Sequence, residues 1–287
     1  MKKISIAEYV VKFKKTKNPF HLIKAIILIV RQGKIDEVVF SIYCQFFFKP
    51  SKVLVRNDDE LEECMNMASK AVALYKDRRF FSRDQLIESF GDKFNVRALP
   101  LDFIGCRTES IIQTNNLLIV GDYGTANDSA TIAIICRERC TLNNFYNQLQ
   151  GVRHIHSIHL FNKSEILIST GDTKKFTDLW IVEGNNIKFK KRIRRYLAGY
   201  TAAIKVNNQH FFGTDFSGRP NFIETLDGER YYFPSKAYKM WVFAFYSFSD
   251  RYIASINTEL IHEGNRKTLS IFDTANKQFV FCEYFCD

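Results

Sequence analysis

The sequence predicts an all-β fold, a β-propeller of about five four-stranded blades over residues 57–287, preceded by a basic helical segment over residues 1–56. Three observations predict it. Apolar periodicity changes from helical to short strands near residue 69. From there a unit recurs in which a strand, a polar turn and an apolar returning strand end on a small-polar-acid triplet. The acid positions of the five triplets lie 38, 50, 43 and 42 residues apart, and four-stranded sheets repeating at about 40–45 residues are a propeller signature. A β-sandwich also needs many short strands, but not the same triplet five times.

The 287 residues are 46% hydrophobic and 15% aromatic, with 13 Gly and 5 Pro, which excludes a disordered or collagenous chain. The formal charge is +10, and residues 1–34 carry +8 of it, from Lys2, Lys3, Lys12, Lys14, Lys15, Lys17, Lys24, Arg31 and Lys34 against Glu8. The remainder is nearly neutral, so no nucleic-acid groove is expected there. Asn18-Pro19 reads as a helix start and Gly33 as a stop. On that helix Lys17, His21, Lys24 and Arg31 form one stripe and Phe20, Ile23, Ile27 and Val30 another. Two readings stay open, packing on the main domain and lying on an anionic membrane surface through residues 1–34. The apolar run 25–30 is far short of the roughly 20 residues that span a bilayer. A second apolar stretch, 38–48, ends at Pro50. Seven cysteines show no disulfide-framework or zinc-finger spacing, and no secretory signal opens the chain, so reduced thiols and a cytoplasmic location are expected, with contact to the inner membrane face left open.

The five polar turns are Lys76-Asp77, Asn115-Asn116, Asn162-Lys163, Asn207-Asn208 and Ser249-Asp250. The five endings are Ser82-Arg83-Asp84, Val120-Gly121-Asp122, Thr170-Gly171-Asp172, Gly213-Thr214-Asp215 and Ser255-Ile256-Asn257. A second hairpin follows each: 85–90 with 94–99, 131–137 with an undefined partner, 179–182 with 187–193, 221–225 with 230–233, and 268–272 with 278–285. Residues 53–56 leave room for a sixth blade.

In a blade the start of the inner strand lies beside the end of the second. That places Arg107, Glu109, Arg153, His154, His156, Tyr200 and Trp241 on the same mouth as Asp122, Tyr123, Asp172, Asp215 and Asn257, with Arg219 and Asn221 on the loop after Asp215. Arginines, acids, histidines and aromatic rings in one funnel suit a glycan, with rings covering its C–H face and Arg taking acid groups. Asp84 ends the first unit at the same level. Each acid has an architectural alternative, accepting from backbone N–H groups of the next turn. His154 and His156 break the repeat and share one strand face, whereas His159 falls on the other and is expected to be packed. With Asp172 the pair could ligate a divalent ion, although no cofactor is required by the sequence. Alternatively one histidine could work with Tyr200 as acid and base, abstracting a proton α to a uronate carboxylate neutralised by Arg107 or Arg153. A glycosidase would use two of Asp122, Asp172 and Asp215.

The run Gly121-Asp122-Tyr123-Gly124, the Arg153-His154-Ile155-His156 run leading to Thr170-Gly171-Asp172, and Gly213-Thr214-Asp215 leading to Pro220-Asn221 resemble sialidase-like β-propeller proteins of the Asp-box type. Thr225-Leu226-Asp227-Gly228-Glu229-Arg230-Tyr231-Tyr232 looks like a decayed Asp-box, and no intact Ser-x-Asp-x-Gly-x-Thr-Trp box occurs. The resemblance implies a propeller and suggests Arg107, Arg153 and Arg219 as funnel arginines. By analogy it implies a carbohydrate-active protein of bacterial surface-polysaccharide metabolism, a hydrolase or lyase acting on an acidic or polyhydroxylated glycan. The alternative is a non-catalytic glycan-binding scaffold docking to a membrane-associated glycosyltransferase complex. No GxxxxGK[ST] or GxGxxG loop supports nucleotide chemistry.

Overall fold

The computed structural model describes residues 12, 16–31, 48–123, 130–143, 152, 154–171, 176–195, 200–216, 220–261 and 264–286. The chain divides into two compact units, Met1–Lys49 and Pro50–Asp287. In the first, helix α1 (Pro19–Arg31) begins at the expected place. Asn18 Oδ1 accepts from the Phe20 amide at 3.0 Å, and Pro19 fills the first helical position, where a missing N–H costs nothing. Most of the apolar stretch 38–48 lies outside the described residues. Among the described residues no helix is long and apolar enough to cross a membrane.

The second unit is mostly β and propeller-like. Among the described residues, four four-stranded antiparallel meanders follow one another along the chain. The first holds β3 (Ile111–Gln113), β4 (Leu118–Gly121), β5 (Ile132–Ile135) and β6 (Cys140–Asn143), the last being the partner strand that the sequence left undefined. The second holds β7 (His154–Asn162), β8 (Glu165–Gly171), β9 (Phe176–Glu183) and β10 (Asn186–Arg195). The third holds β11 (Tyr200–Val206), β12 (Gln209–Thr214), β13 (Phe222–Thr225) and β14 (Arg230–Tyr232). The fourth holds β15 (Trp241–Ser247), β16 (Tyr252–Ile261), β17 (Gly264–Asp273) and β18 (Gln278–Phe285). The polar dipeptides turn these strands as expected. Asn207 and Asn208 take φ of 48° and 61°, the left-handed pair that a two-residue hairpin turn requires.

Consecutive sheets meet face to face through apolar side chains. Ile119, Ile132 and Ile134 pack with Ile155, Ile166, Ile168 and Trp180. Leu167 and Leu179 pack with Tyr200, Ala203 and Phe212. Phe211, Ile223 and Phe233 pack with Val242, Ile253 and Phe272. First strands also neighbour one another in the order β3, β7, β11, β15, as inner strands around a propeller axis do. The recurring glycine at the second-strand ends serves this packing. A Cβ on Gly121 would lie 2.6 Å from Ile155 Cβ, and one on Gly213 2.4 Å from Val242 Cγ1, both on the inner strand of the next sheet.

Residues 58–107 depart from the expected first blade. They form α2 (Asp58–Lys76), β1 (Phe80–Ser82), α3 (Arg83–Phe90) and β2 (Gly105–Arg107), and only β1 and β2 pair. Asn57 caps α2 by accepting from the Glu60 amide at 2.9 Å, with Asp58, Asp59 and Glu60 in the positive first turn. The Ser82-Arg83-Asp84 triplet is a helix start, not a strand end. Ser82 and Gln85 form a reciprocal capping box, and Asp84 is exposed at the surface. This wedge covers the outer faces of the first and fourth sheets. Cys64, Met67 and Ala71 pack on Ala254, Ile256 and Leu269, while Leu86, Phe94 and Leu99 pack on Leu118, Val120 and Ile135. Residues 51–54 form no sixth sheet. Ser51 and Val53 make single bridges to Pro234 and Phe279, tying the chain to existing edges.

Candidate functional site

Four of the residues expected on one mouth meet in a column of stacked rings. Tyr123 stacks on His154 with centroids 4.1 Å apart and 13° between planes, and His154 stacks on His156 at 4.7 Å. The Arg107 guanidinium lies over the other partner, 4.2 Å from the Tyr123 ring. His154 and His156 bring their Nε2 atoms to 2.8 Å, so one ring donates and the other accepts. The geometry explains Gly171, which faces His154 across the β7–β8 ladder. A Cβ there would fall 1.9 Å from His156 Nε2. Asp122 precedes Tyr123, and its backbone carbonyl accepts from the Ile155 amide at 3.0 Å. Burial lifts its carboxyl to about 6, against backbone hydrogen bonds from Gly105 and Tyr123, and its Oδ1 has no hydrogen-bond partner among the described residues.

Beside Arg107 opens a cleft of about 450 Å³, where α2 ends and the wedge meets the fourth sheet. Lys76, Arg78, Arg79, Arg107 and Lys267 line it together with Tyr75, Phe80 and Phe243, and Glu109 is the one carboxylate among the described lining residues. Some of this charge has a structural partner. Lys76 complements the C-terminal dipole of α2, and Arg78 pairs with Glu109 while lying 4.0 Å over the Phe243 ring. Arg107 reaches the same ring at 5.5 Å, and the Lys267 ammonium lies 5.1 Å from the Tyr75 ring. Among the described lining residues the cations outnumber the carboxylate five to one. Arg78 Nη1 is buried and makes no hydrogen bond among the described residues, and an unmet buried donor costs about 1–3 kcal/mol until an acceptor arrives. Phe80, 45% exposed, leaves an open aromatic face beside these cations.

Of the other expected site residues, Glu109 lines the cleft and Asp122 adjoins Tyr123, and the rest do not join this group in the described structure. The Tyr200 hydroxyl, expected to work with the histidines, donates to Glu224 inside its own sheet, and Arg230 holds Glu224 at 3.0 Å. Asn221, expected on ligand, is fully buried. Its side chain accepts from the Phe216 amide at 2.8 Å and donates to the Phe216 carbonyl at 2.7 Å, closing the 214–221 loop on itself. Asn257 is likewise buried in the β16 ladder and accepts from Ser255. Trp241 and Asp215 are half-buried at the start of β15 and the end of β12. Arg153, Asp172 and Arg219 lie outside the described residues, and the metal set built on Asp172 with them; among the described residues no three ligating side chains cluster. His159 is packed as expected. It accepts from the Ala203 amide at 3.2 Å, and burial with nearby His210 lowers its pKa to about 4, which keeps it neutral. Sequence reasoning missed Arg78, Phe243 and Lys267. The run Tyr75-Lys76-Asp77-Arg78-Arg79-Phe80 carried the signal, aromatics flanking a basic cluster, and was read only as a hairpin turn.

No protein-family model matches the chain, and no curated protein matches it. Among solved structures, the N-terminal domain of Nup159 is 8% identical over 62% of this chain and 47% of that chain, with a TM-score of 0.34. A eukaryotic initiation factor is 12% identical over 63% and 46%, with a TM-score of 0.34. A chain of the S. cerevisiae Dbp5 L327V complex with Nup159, Gle1 H337R, IP6 and ADP is 9% identical over 62% and 58%, with a TM-score of 0.29. The chain thus spans about half the length of the solved chains it matches. Likeness at this level bears on neither the site nor an activity.

Proposed function

We propose that the chain is a propeller scaffold of four blades and one helical wedge, and that the seam cleft binds an acidic glycan. The observation that carries this reading is the buried, unsatisfied Arg78 Nη1 in a cleft whose cations outnumber its single acid. A carboxylated sugar meets each requirement of the cleft. Its acid group supplies an acceptor for Arg78 Nη1 and a counter-charge for Arg107, and its C–H face covers the exposed Phe80 ring. The cleft volume falls within the range of ligand sites, about 300–1,000 Å³. Binding without cleavage is favoured because Tyr200, the expected catalytic partner of the histidines, is committed to Glu224.

A second reading, hydrolase or lyase, is favoured by one observation. The hydrogen-bonded His154–His156 pair, an acid–base couple, lies one ring beyond Tyr123 from Arg107 at the edge of the cleft. Titration of the full chain with oligogalacturonate and with a neutral oligosaccharide of equal length, following heat, new reducing ends and unsaturated-uronate absorbance, separates the two. Heat of binding to the acidic ligand alone, without product, supports the scaffold. Product formation shifts the assignment to an enzyme, and no heat with either ligand removes the glycan reading.

A further inference from the structure

We infer that α1 docks the chain on an anionic lipid surface, lying along the bilayer rather than across it. The helix has its faces reversed relative to a helix packed on a core. Its one fully buried described side chain is the small Ala25, whereas Phe20, Leu22, Ile23, Ile26 and Ile27 are 55%, 39%, 52%, 50% and 44% exposed. At 100° per residue these five occupy one continuous sector. Ordinary packing would bury that sector, and water is a poor solvent for it. Thirteen residues span about 20 Å, too short to cross a bilayer and suited to lying at its interface.

Charge selects the occupant. Residues 1–34 hold nine basic side chains and one acid, opposite in sign to an anionic leaflet and poorly matched to a second copy of the same segment. Lys24 shows the geometry in miniature, with its ammonium 4.4 Å over the Phe20 ring, a stem lying along apolar surface and a charge at its edge.

The test is co-sedimentation of the full chain with vesicles of phosphatidylcholine alone and of phosphatidylcholine mixed with phosphatidylglycerol. The expected result is binding to the mixed vesicles only, reversed by high salt. Substituting Lys17→Gln and Lys24→Gln together should lower partitioning about 25-fold, roughly fivefold for each charge. Ile23→Glu with Ile27→Glu should abolish it while the thermal melt stays in place. Equal binding to both vesicle types, unchanged binding by the double glutamate variant, or self-association in solution without vesicle binding would each overturn the assignment.

Discussion

The two ends of helix α2 carry similar numbers of charged groups and treat them in opposite ways. At the N-terminal end every charge in contact has an opposite. Arg251 grips Asp273 through Nε at 3.1 Å and Nη2 at 2.6 Å, reaches Glu60 at 3.5 Å, and Arg56 adds a weaker contact to Asp273. Tyr252 and the Arg56 amide complete the bonding of Glu60. At the C-terminal end five cations face one carboxylate, and a buried guanidinium nitrogen goes unmet. A balanced network has no use for a ligand, whereas an unbalanced one stores a cost that a ligand can relieve. The difference teaches which charges hold the wedge against the fourth sheet and which, on the proposed function, meet a ligand.

The comparison is broken most strongly at its balanced end. Arg251→Ala leaves Asp273 buried without its forked partner and should cost about 2–3 kcal/mol, lowering the melt by several degrees while leaving affinity for oligogalacturonate unchanged. The same network gives an acid limb. Burial alone would raise the Asp273 carboxyl, but hydrogen bonds from Arg251 and Asn276 outweigh it and hold it at about 2. A folded pKa below the unfolded value of about 3.9 contributes stability that is complete above that value and lost as pH falls toward 2. Melts of wild type across that window should fall more steeply than those of Asp273→Asn.

At the unbalanced end, the effects fall on binding. Arg107→Ala should weaken acidic-glycan affinity about tenfold or more by removing a charge-assisted contact, with the melt within about 1 kcal/mol of wild type. The smallest effect belongs to Lys76, whose charge complements the helix terminus. Lys76→Gln should cost about 0.5 kcal/mol of stability and little affinity, read by denaturant melts and titration.

The four meanders, save the fourth strand of the first, were legible because polar turns such as Asn207-Asn208 and Thr225–Glu229 punctuate them and most strands alternate or run apolar. Hydrogen bonds of the Gly228 amide to the Thr225 carbonyl and of the Thr225 amide to the Glu229 carbonyl close the latter turn. The wedge was not legible, because a small-polar-acid triplet serves a strand end and a helix N-cap equally well. Ser82 is distinguished only by Gln85, three residues on, which completes its capping box. In the site, the rule that inner-strand starts lie beside second-strand ends brought Tyr123, His154 and His156 together, whereas Arg107 and Glu109, expected to open an inner strand, stand at the end of β2 and in the turn before β3, and Arg107 reaches Tyr123 from there. The rule failed for Tyr200 and Asn221, whose partners Glu224 and Phe216 lie within their own sheet and loop. Lys267 and Phe243 were invisible to it. One stands on a third strand and the other inside an inner strand, and they meet Tyr75 and Arg78 only where the fourth sheet meets the wedge.

The most direct test of the contrast measures melting temperature and oligogalacturonate affinity together for Arg107→Ala and Arg251→Ala. The account predicts a crossed result, lost affinity with a near-native melt for the first and a lowered melt with native affinity for the second. Native affinity in Arg107→Ala, or a matching loss of affinity in both variants, would contradict it.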